Sequence, residues 1–163
     1  MTISVATKDQ LVIVQELAHA IWPDTYGAIL SQEQLDYMMD MMYSIESLEE
    51  QLEKQKIFLL VKKDNHFIGF ASYELNVENS NKTKIHKLYV LPQIQGKGIG
   101  KSLIDYISKI ALENNNSALF LGVNKYNKAK EFYSKYGFEI TNSIVVEIGN
   151  GYVMDDYIME KKI

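Results

Sequence analysis

The sequence predicts an α/β protein with a central mixed β-sheet of about seven strands flanked by helices. Three observations predict this fold: β-branched and aromatic runs recur along the chain, segments with apolar residues at helical spacing separate several of them, and one strand leads through glycines directly into a helix. The length of 163 residues is typical of one domain, and no linker rich in serine, glycine or proline divides the chain. We therefore expect a single domain over residues 1–163.

The N-terminal third predicts one short strand and three helices. Residues 3–5 alternate apolar and polar side chains, as in a strand that is buried on one face. Thr7 can cap a first helix, which Pro23 follows, and Ser31 can cap a second. A third, highly charged helix is expected over residues 44–54.

The remainder of the chain predicts the other strands and two longer helices. A hairpin is expected from strands 57–61 and 67–75, joined by a polar turn, and Pro92 ends a further strand over 85–91. The helix after the glycines stops at the asparagines of positions 114–116. The last predicted elements are a strand over 118–123, a helix over 128–136 and two strands over 138–147 and 152–161.

The composition argues against several classes of partner. The net charge is −4, and every one of the 17 basic residues is lysine. Proteins that bind nucleic acid need dense positive surface and usually arginine forks, so the sequence predicts a small-molecule partner and no nucleic acid. Cysteine is absent, which excludes disulfides, thiolate metal sites and a cysteine nucleophile. No apolar run approaches the ~18 residues of a membrane span, and we expect a cytoplasmic protein that does not enter a membrane.

A glycine-rich segment follows the strand that ends at Leu91, with the sequence Gln95-Gly96-Lys97-Gly98-Ile99-Gly100. The start of a helix presents unpaired N–H groups and the positive end of the helix dipole, and glycine lets a phosphate approach these groups. The segment is not a Walker loop, because position 95 would then be glycine. A dinucleotide fingerprint would require glycine at position 101, which is lysine.

The segment does match the pattern Gln-x-x-Gly-x-Gly, which can begin at Gln95 or at Gln93. We prefer the register that begins at Gln95, because Gly98 and Gly100 then fall in the first turn of the helix. A second segment, residues 124–138, contains the run Asn-Lys-Ala-Lys-Glu-Phe-Tyr and ends in Gly-Phe. With these two segments the sequence resembles the GCN5-related N-acetyltransferase (GNAT) family. It is most similar to the PaiA-like polyamine acetyltransferase branch, firmly from about residue 57 to residue 140 and loosely before it.

The resemblance implies acetyl-CoA as co-substrate, bound without a metal. It implies that the strand before the glycines opens at a bulge and that its backbone contacts the pantetheine arm. It also implies that the Tyr133 hydroxyl faces the sulfur as general acid. The residues implied to bind the co-substrate are Leu88, Tyr89, Val90, Gln95, Gly96, Lys97, Gly98, Ile99, Gly100, Lys101, Asn127, Lys130 and Tyr133.

The general base is less well defined by the resemblance. Many family members carry a glutamate on the strand before the glycines, whereas the comparable positions here are Lys84 and His86. An imidazole with an ordinary pKa near 6.5 can take a proton from an ammonium group directly or through water, so His86 is the predicted base. Glu74 on the adjacent strand is the reserve candidate, and an exposed histidine without a role is the other interpretation of position 86.

The acceptor pocket is expected between the N-terminal helices and the strand loops, where Trp22 and Tyr26 can form apolar, cation-facing walls. The predicted acceptor is the primary amine of a small molecule, a polyamine-like cation ahead of an amino acid, a peptide N-terminus or an antibiotic. Two alternatives remain open: a non-catalytic acyl-CoA-binding sensor on the same fold, and a nucleotide-binding regulatory domain. By analogy with the family, a homodimer is one option for the oligomeric state.

Overall fold

A seven-stranded sheet forms the centre of the protein and carries five α-helices, and the computed structural model describes all of residues 1–163. The sheet order is β1-β2-β3-β4-β5-β7-β6, and every neighbouring pair is antiparallel except β4–β5. The predicted mixed sheet of about seven strands is therefore confirmed. In chain order the elements are β1 (Thr2–Val5), α1 (Leu11–Tyr26), α2 (Gln32–Tyr43), α3 (Ile45–Glu53), β2 (Ile57–Lys63), β3 (His66–Glu74), β4 (Lys82–Val90), α4 (Ile99–Glu113), β5 (Ala118–Asn124), α5 (Ala129–Lys135), β6 (Glu139–Gly149) and β7 (Tyr152–Lys162).

The two faces of the sheet bury separate apolar clusters. Along β2, Phe58 and Leu60 pack with α1, α2 and α3 on one face, whereas Leu59 and Val61 pack with α4 on the other. Successive side chains of a strand point to opposite faces, so a strand covered on both sides needs apolar residues at every position. This explains the unbroken apolar run from residue 57 to residue 61.

Local signals in the sequence define several ends of the elements. The hydroxyl oxygens of Ser31 and Ser44 accept hydrogen bonds from backbone N–H groups at the starts of α2 and α3, at 3.2 and 3.1 Å. Asp64 and Asn65 both have positive φ in the turn between β2 and β3, as a two-residue hairpin turn requires. Most predicted boundaries agree with the structure within one or two residues.

Two predicted boundaries are wrong. Pro23 lies inside α1, which continues to Tyr26. A proline in a helix interior costs roughly 3 kcal/mol, and the burial of Trp22 and Tyr26 by the last turns, each worth about 1.5–3 kcal/mol on the scale of large apolar side chains, offsets this cost. Strand β4 begins at Lys82, three residues before the predicted start, because its first residues pair with β5.

The sheet splits between β4 and β5, and this split positions the site. The two parallel strands pair only where residues 82–85 lie beside residues 118–121, although β4 continues to Val90 and β5 to Asn124. At the point of separation the register between β3 and β4 shifts, so that His86 is an extra residue of β4 without a partner on β3. Such a bulge bends its strand and interrupts the ladder. The bulge that the resemblance implied is present. None of the helices is both long and apolar enough to cross a membrane.

Candidate active site

A cavity of about 930 Å³ occupies the opening between β4 and β5 and extends to the starts of α4 and α5. The glycine-rich segment, the splayed part of β4 and the N-terminal half of α5 all contribute to its walls. The two segments that carry the family resemblance therefore lie on one cavity, although 25 residues separate Gly100 from Tyr126 in the sequence. Of the residues predicted to bind the co-substrate, those that line it are Leu88, Tyr89, Val90, Gln95, Gly96, Gly98, Ile99, Gly100, Asn127 and Tyr133.

The backbone between β4 and α4 presents a row of free hydrogen-bond donors. None of the N–H groups from Gly96 to Lys101 has an acceptor within the protein, and the first bonded amide of this stretch is that of Ser102. Gly96 and Gly98 both have positive φ, 81° and 78°, a conformation that favours glycine. The side-chain amide of Gln95 donates to the carbonyl oxygen of Val90 at 3.1 Å and fixes the loop against β4. Free donors at the start of a fifteen-residue helix fit a diphosphate.

The splayed part of β4 offers backbone groups to the cavity. The N–H of Leu91 donates to the carbonyl of Ile68 on the β3 side. Backbone groups alternate in direction along a strand, so those of Tyr89 also point to β3, whereas those of Leu88 and Val90 point to the opening. This arrangement can pair with the amide groups of an extended pantetheine arm. Of the three residues predicted to bind the pantetheine arm through their backbone, Leu88 and Val90 are therefore oriented to do so, whereas the backbone of Tyr89 faces β3.

Tyr133 and Asn127 bring α5 to the cavity. Tyr133 is buried, its ring packs edge-on against Phe132 and Phe138, and its hydroxyl has no hydrogen-bond partner within the protein. Burial raises the pKa of Tyr133, with Tyr26 contributing in the same direction, so the phenol keeps its proton. Asn127 caps α5, since its Oδ1 accepts a hydrogen bond from the N–H of Ala129 at 2.9 Å, and its side chain also interacts with the Tyr26 hydroxyl at the wall of the cavity.

The three lysines predicted to contact the co-substrate lie around the cavity, and none of them lines it. Lys97 is exposed. Lys101 pairs with Asp105 one turn along α4, and the ammonium group of Lys130 lies 5.3 Å from the centre of the Tyr157 ring. They can contribute a positive field at the mouth of the cavity.

A second, smaller cavity of about 80 Å³ adjoins the split on the face of the sheet that α1, α2 and α3 cover. Its walls include Trp22, Tyr43 and Asp156. Five residues line both cavities, so the two meet at the splayed strands: Tyr26, His86, Lys87, Tyr89 and Gly122. Of the two predicted acceptor residues, Tyr26 therefore borders both cavities and Trp22 only the smaller one.

Aromatic side chains form the wall between α1 and β4. The hydroxyls of Tyr26 and Tyr89 share a hydrogen bond of 2.8 Å, and the indole N–H of Trp22 donates to the hydroxyl of Tyr43 at 3.2 Å. Burial raises the pKa of Tyr26, Tyr43 and Tyr89, so all three hydroxyls stay protonated. This wall can hold the apolar part of an acceptor and face a cation.

His86 and Glu74, the two candidates for the base, contact each other. The Nε2 atom of His86 lies 3.1 Å from Oε2 of Glu74. Burial lowers the pKa of His86 to about 3, and Lys84, Lys56 and Lys87 act in the same direction. At neutral pH, His86 is therefore an uncharged imidazole that donates its N–H to Glu74, and a poor proton acceptor.

Sequence reasoning missed two ionisable residues of the smaller cavity. Lys87 is 8% exposed and lies one position after the bulge, where its direction depends on the irregular register. Asp156 comes from β7, far along the chain, and burial raises its pKa, with the adjacent Asp155 acting in the same direction. The one available signal for Asp156 is a pair of acidic residues inside a strand pattern. No group of three or more histidine, aspartate or glutamate residues forms a metal site.

A loop of free amides suited to a diphosphate, an open strand edge and an adjoining second cavity together fit an enzyme that uses an acyl-CoA thioester. The chain belongs to the acetyltransferase (GNAT) domain family, whose model matches residues 28–160. It is an N-acetyltransferase with acetyl-CoA as co-substrate.

Individual relatives agree with this assignment. The spermidine N(1)-acetyltransferase of Thermoplasma acidophilum is 29% identical over 153 residues, which cover 90% of this chain and 88% of that protein. The crystal structure of the PaiA N-acetyltransferase from Thermoplasma acidophilum in complex with coenzyme A superposes with a TM-score of 0.80 over the full length of both chains, at 29% identity. A GCN5-related N-acetyltransferase structure from Rhodopseudomonas palustris has a TM-score of 0.84 at 21% identity, covers 99% of this chain and 95% of that one, and shares the fold.

Proposed function

We propose that the enzyme transfers the acetyl group of acetyl-CoA to a primary amine of a small, polyamine-like cation. The observation that carries the proposal is the meeting of two cavities at the split between β4 and β5. The larger one has free amides suited to a diphosphate, and the smaller one has a carboxylate, Asp156, among aromatic rings. A carboxylate and aromatic faces attract an alkylammonium group. The similarity to a spermidine N(1)-acetyltransferase supports the same class of acceptor.

In this proposal the backbone of the split aligns the two reactants. The N–H groups from Gly96 to Lys101 bind the diphosphate, and the backbone of Leu88 and Val90 binds the pantetheine arm, which directs the thioester to the junction of the cavities. Holding an amine and a thioester together in line can be worth about 7–11 kcal/mol of the barrier. A free N–H on the β4 edge, that of Leu88 or Val90, is placed to stabilise the oxyanion that forms at the carbonyl.

Tyr133 completes the transfer as the general acid. Its raised pKa keeps the phenol protonated, so that Tyr133 holds a proton to give to the sulfur as negative charge develops there. A hydroxyl that is buried and has no partner within the protein is free to make this contact. Acid catalysis of this kind contributes about 10²–10⁴-fold to a rate.

The proposal is tested by CoA release. We expect purified enzyme with acetyl-CoA to release thiol when spermidine is added, and to release it faster than with an amino acid, a peptide or an aminoglycoside. The Tyr133→Phe variant should lower kcat about 10²–10⁴-fold at unchanged CoA affinity. Tyr106→Phe is the matched control, because Tyr106 packs at the apolar cluster under α4 and does not line either cavity. Release with no amine at all would contradict the proposal, and preference for a different acceptor would contradict the polyamine assignment.

A further inference from the structure

The acceptor's proton has no convincing recipient among the residues that the sequence singled out. An alkylammonium group must lose a proton before its nitrogen can attack a thioester. His86 is neutral with a pKa of about 3, and its N–H is bonded to Glu74, which uses one carboxylate oxygen in that contact. A different group at the junction of the cavities is needed for this step.

Lys87 is buried at that junction and has no partner. It follows the bulge of β4, lines both the larger and the smaller cavity, and is 8% exposed. Its ammonium group makes no hydrogen bond or ion pair within the protein, and it lies 4.9 Å from the centre of the Tyr43 ring. A buried lysine is ordinarily paired with a carboxylate, so an unpaired one directed to two cavities indicates a ligand-facing role.

The charged and titratable groups around Lys87 favour its neutral form. Burial lowers the pKa of Lys87 to about 8, and Lys56 and Lys84 act in the same direction. Glu74 and His86 bond each other, and Asp156 is the one carboxylate on the smaller cavity. The other titratable groups on the wall are the protonated hydroxyls of Tyr26, Tyr43 and Tyr89. An amine in these surroundings can accept a proton near neutral pH, which an ordinary lysine cannot.

We propose that Lys87 is the general base of the acetyl transfer, with its neutral amine taking a proton from the acceptor ammonium group. The inference rests on the proposed function. The freed nitrogen lone pair then forms the C–N bond with the thioester carbonyl carbon, and the C–S bond breaks. Tyr133 gives its proton to the sulfur and regains one from the new amide nitrogen. The other proton leaves Lys87 for solvent, so the net products are the acetamide, CoA thiol and one proton. The face of Tyr43 stabilises the ammonium form of Lys87 in between.

The pH dependence of kcat/KM tests this step with two acceptors. With spermidine, the wild-type enzyme should show a limb that rises with pH to a midpoint near 8, because the lysine must be neutral. Lys87→Met should lower kcat/KM about 10²–10⁴-fold and remove this limb. With trifluoroethylamine, which is already neutral over the assay range and needs no base, the wild-type limb should vanish. Lys87→Met should then stay within about threefold of the wild type, which also shows that the variant is folded.

Two further variants distinguish a role of Lys87 as general base from a role as a fixed positive charge. Lys87→Arg keeps the cation but cannot become neutral, so it should be as slow with spermidine as Lys87→Met. Lys84→Met removes a cation that lines neither cavity but lowers the pKa of Lys87, so it should keep the wild-type rate well above pH 8 and move the midpoint of the limb to higher pH. Activity of Lys87→Arg with spermidine, or an unchanged limb in Lys87→Met, would overturn the inference while leaving the proposed function intact. A wild-type enzyme that acetylates no amine would instead refute the proposed function.

Discussion

Replacing Gly98 by alanine tests whether the glycine segment binds a diphosphate. Gly98 has a φ of 78° and precedes the first residue of α4, and a Cβ added there meets no atom within 4 Å. The substitution therefore strains the backbone without a clash inside the protein. The left-handed conformation costs an L-residue roughly 1–2 kcal/mol, and a chain of this length shifts its Tm by about 2–4 °C for each kcal/mol. We expect the Tm of the free enzyme to fall by about 2–8 °C.

The Gly98→Ala substitution should weaken CoA binding by more than the backbone strain explains. With a diphosphate bound against the free N–H groups of residues 96–101, a methyl group on Gly98 would take up open space that a phosphate oxygen needs. A hydrogen bond to a charged group is worth about 1.5–3 kcal/mol, so one lost bond weakens CoA binding about 10- to 150-fold. Isothermal titration calorimetry with CoA measures this change directly.

Gly151 provides a matched control. It has a φ of 79°, a Cβ added there also meets nothing within 4 Å, and it lies in the turn between β6 and β7, away from both cavities. Gly151→Ala should lower the Tm by a similar amount and leave the CoA dissociation constant unchanged. Equal CoA affinity of the two variants would refute the assignment of the diphosphate to this loop.

Two other substitutions separate structural from ligand-binding roles. Asn127→Ala should lower the free energy of unfolding by about 0.5–2 kcal/mol through the lost cap and weaken CoA binding about two- to tenfold. Asn124→Ala, which loses a similar 2.9 Å bond to the N–H of Tyr126, should leave CoA binding unchanged; equal CoA loss in both would contradict the assignment. His86→Gln should make the fold less sensitive to acid. The folded-state pKa of about 3 lies below the unfolded value of 6.5, so the wild type loses about 1.4 kcal/mol of stability per pH unit from this residue as pH falls below 6.5. Urea unfolding at pH 5 and pH 7 measures the slope, and an identical slope in the variant would contradict the burial of a neutral imidazole.

The fold follows from local patterns because its elements are strongly periodic. The apolar run at 57–61 and the serine caps at Ser31 and Ser44 predict elements at the right places. Pro23 misleads because the proline signal is local, whereas the gain that keeps α1 helical comes from packing against distant strands. The start of β4 was missed for the same reason, since its first residues are ordered by β5.

The residues of the candidate site also differ in whether local sequence or tertiary structure reveals them. The glycine segment and the run around Asn127 are contiguous in the sequence, and both lie on the cavity as the resemblance implied. Lys87 and Asp156 lie far apart in the sequence and reach one cavity through the bulge and the sheet order. No periodicity could show that a lysine in a strand is unpaired, because pairing depends on which side chains the tertiary structure brings near it.

The irregularity at His86 constrains how this chain can change. Deleting His86 would let β4 pair evenly with β3 and would leave the other side chains on their present faces, because Ile85 already lies opposite Tyr73 and Lys87 opposite Ser72. The two apolar clusters would stay intact, whereas β4 would lose the bend at which it separates from β5. A chain shortened by this one residue should therefore fold and yet lose the opening that the two reactants need.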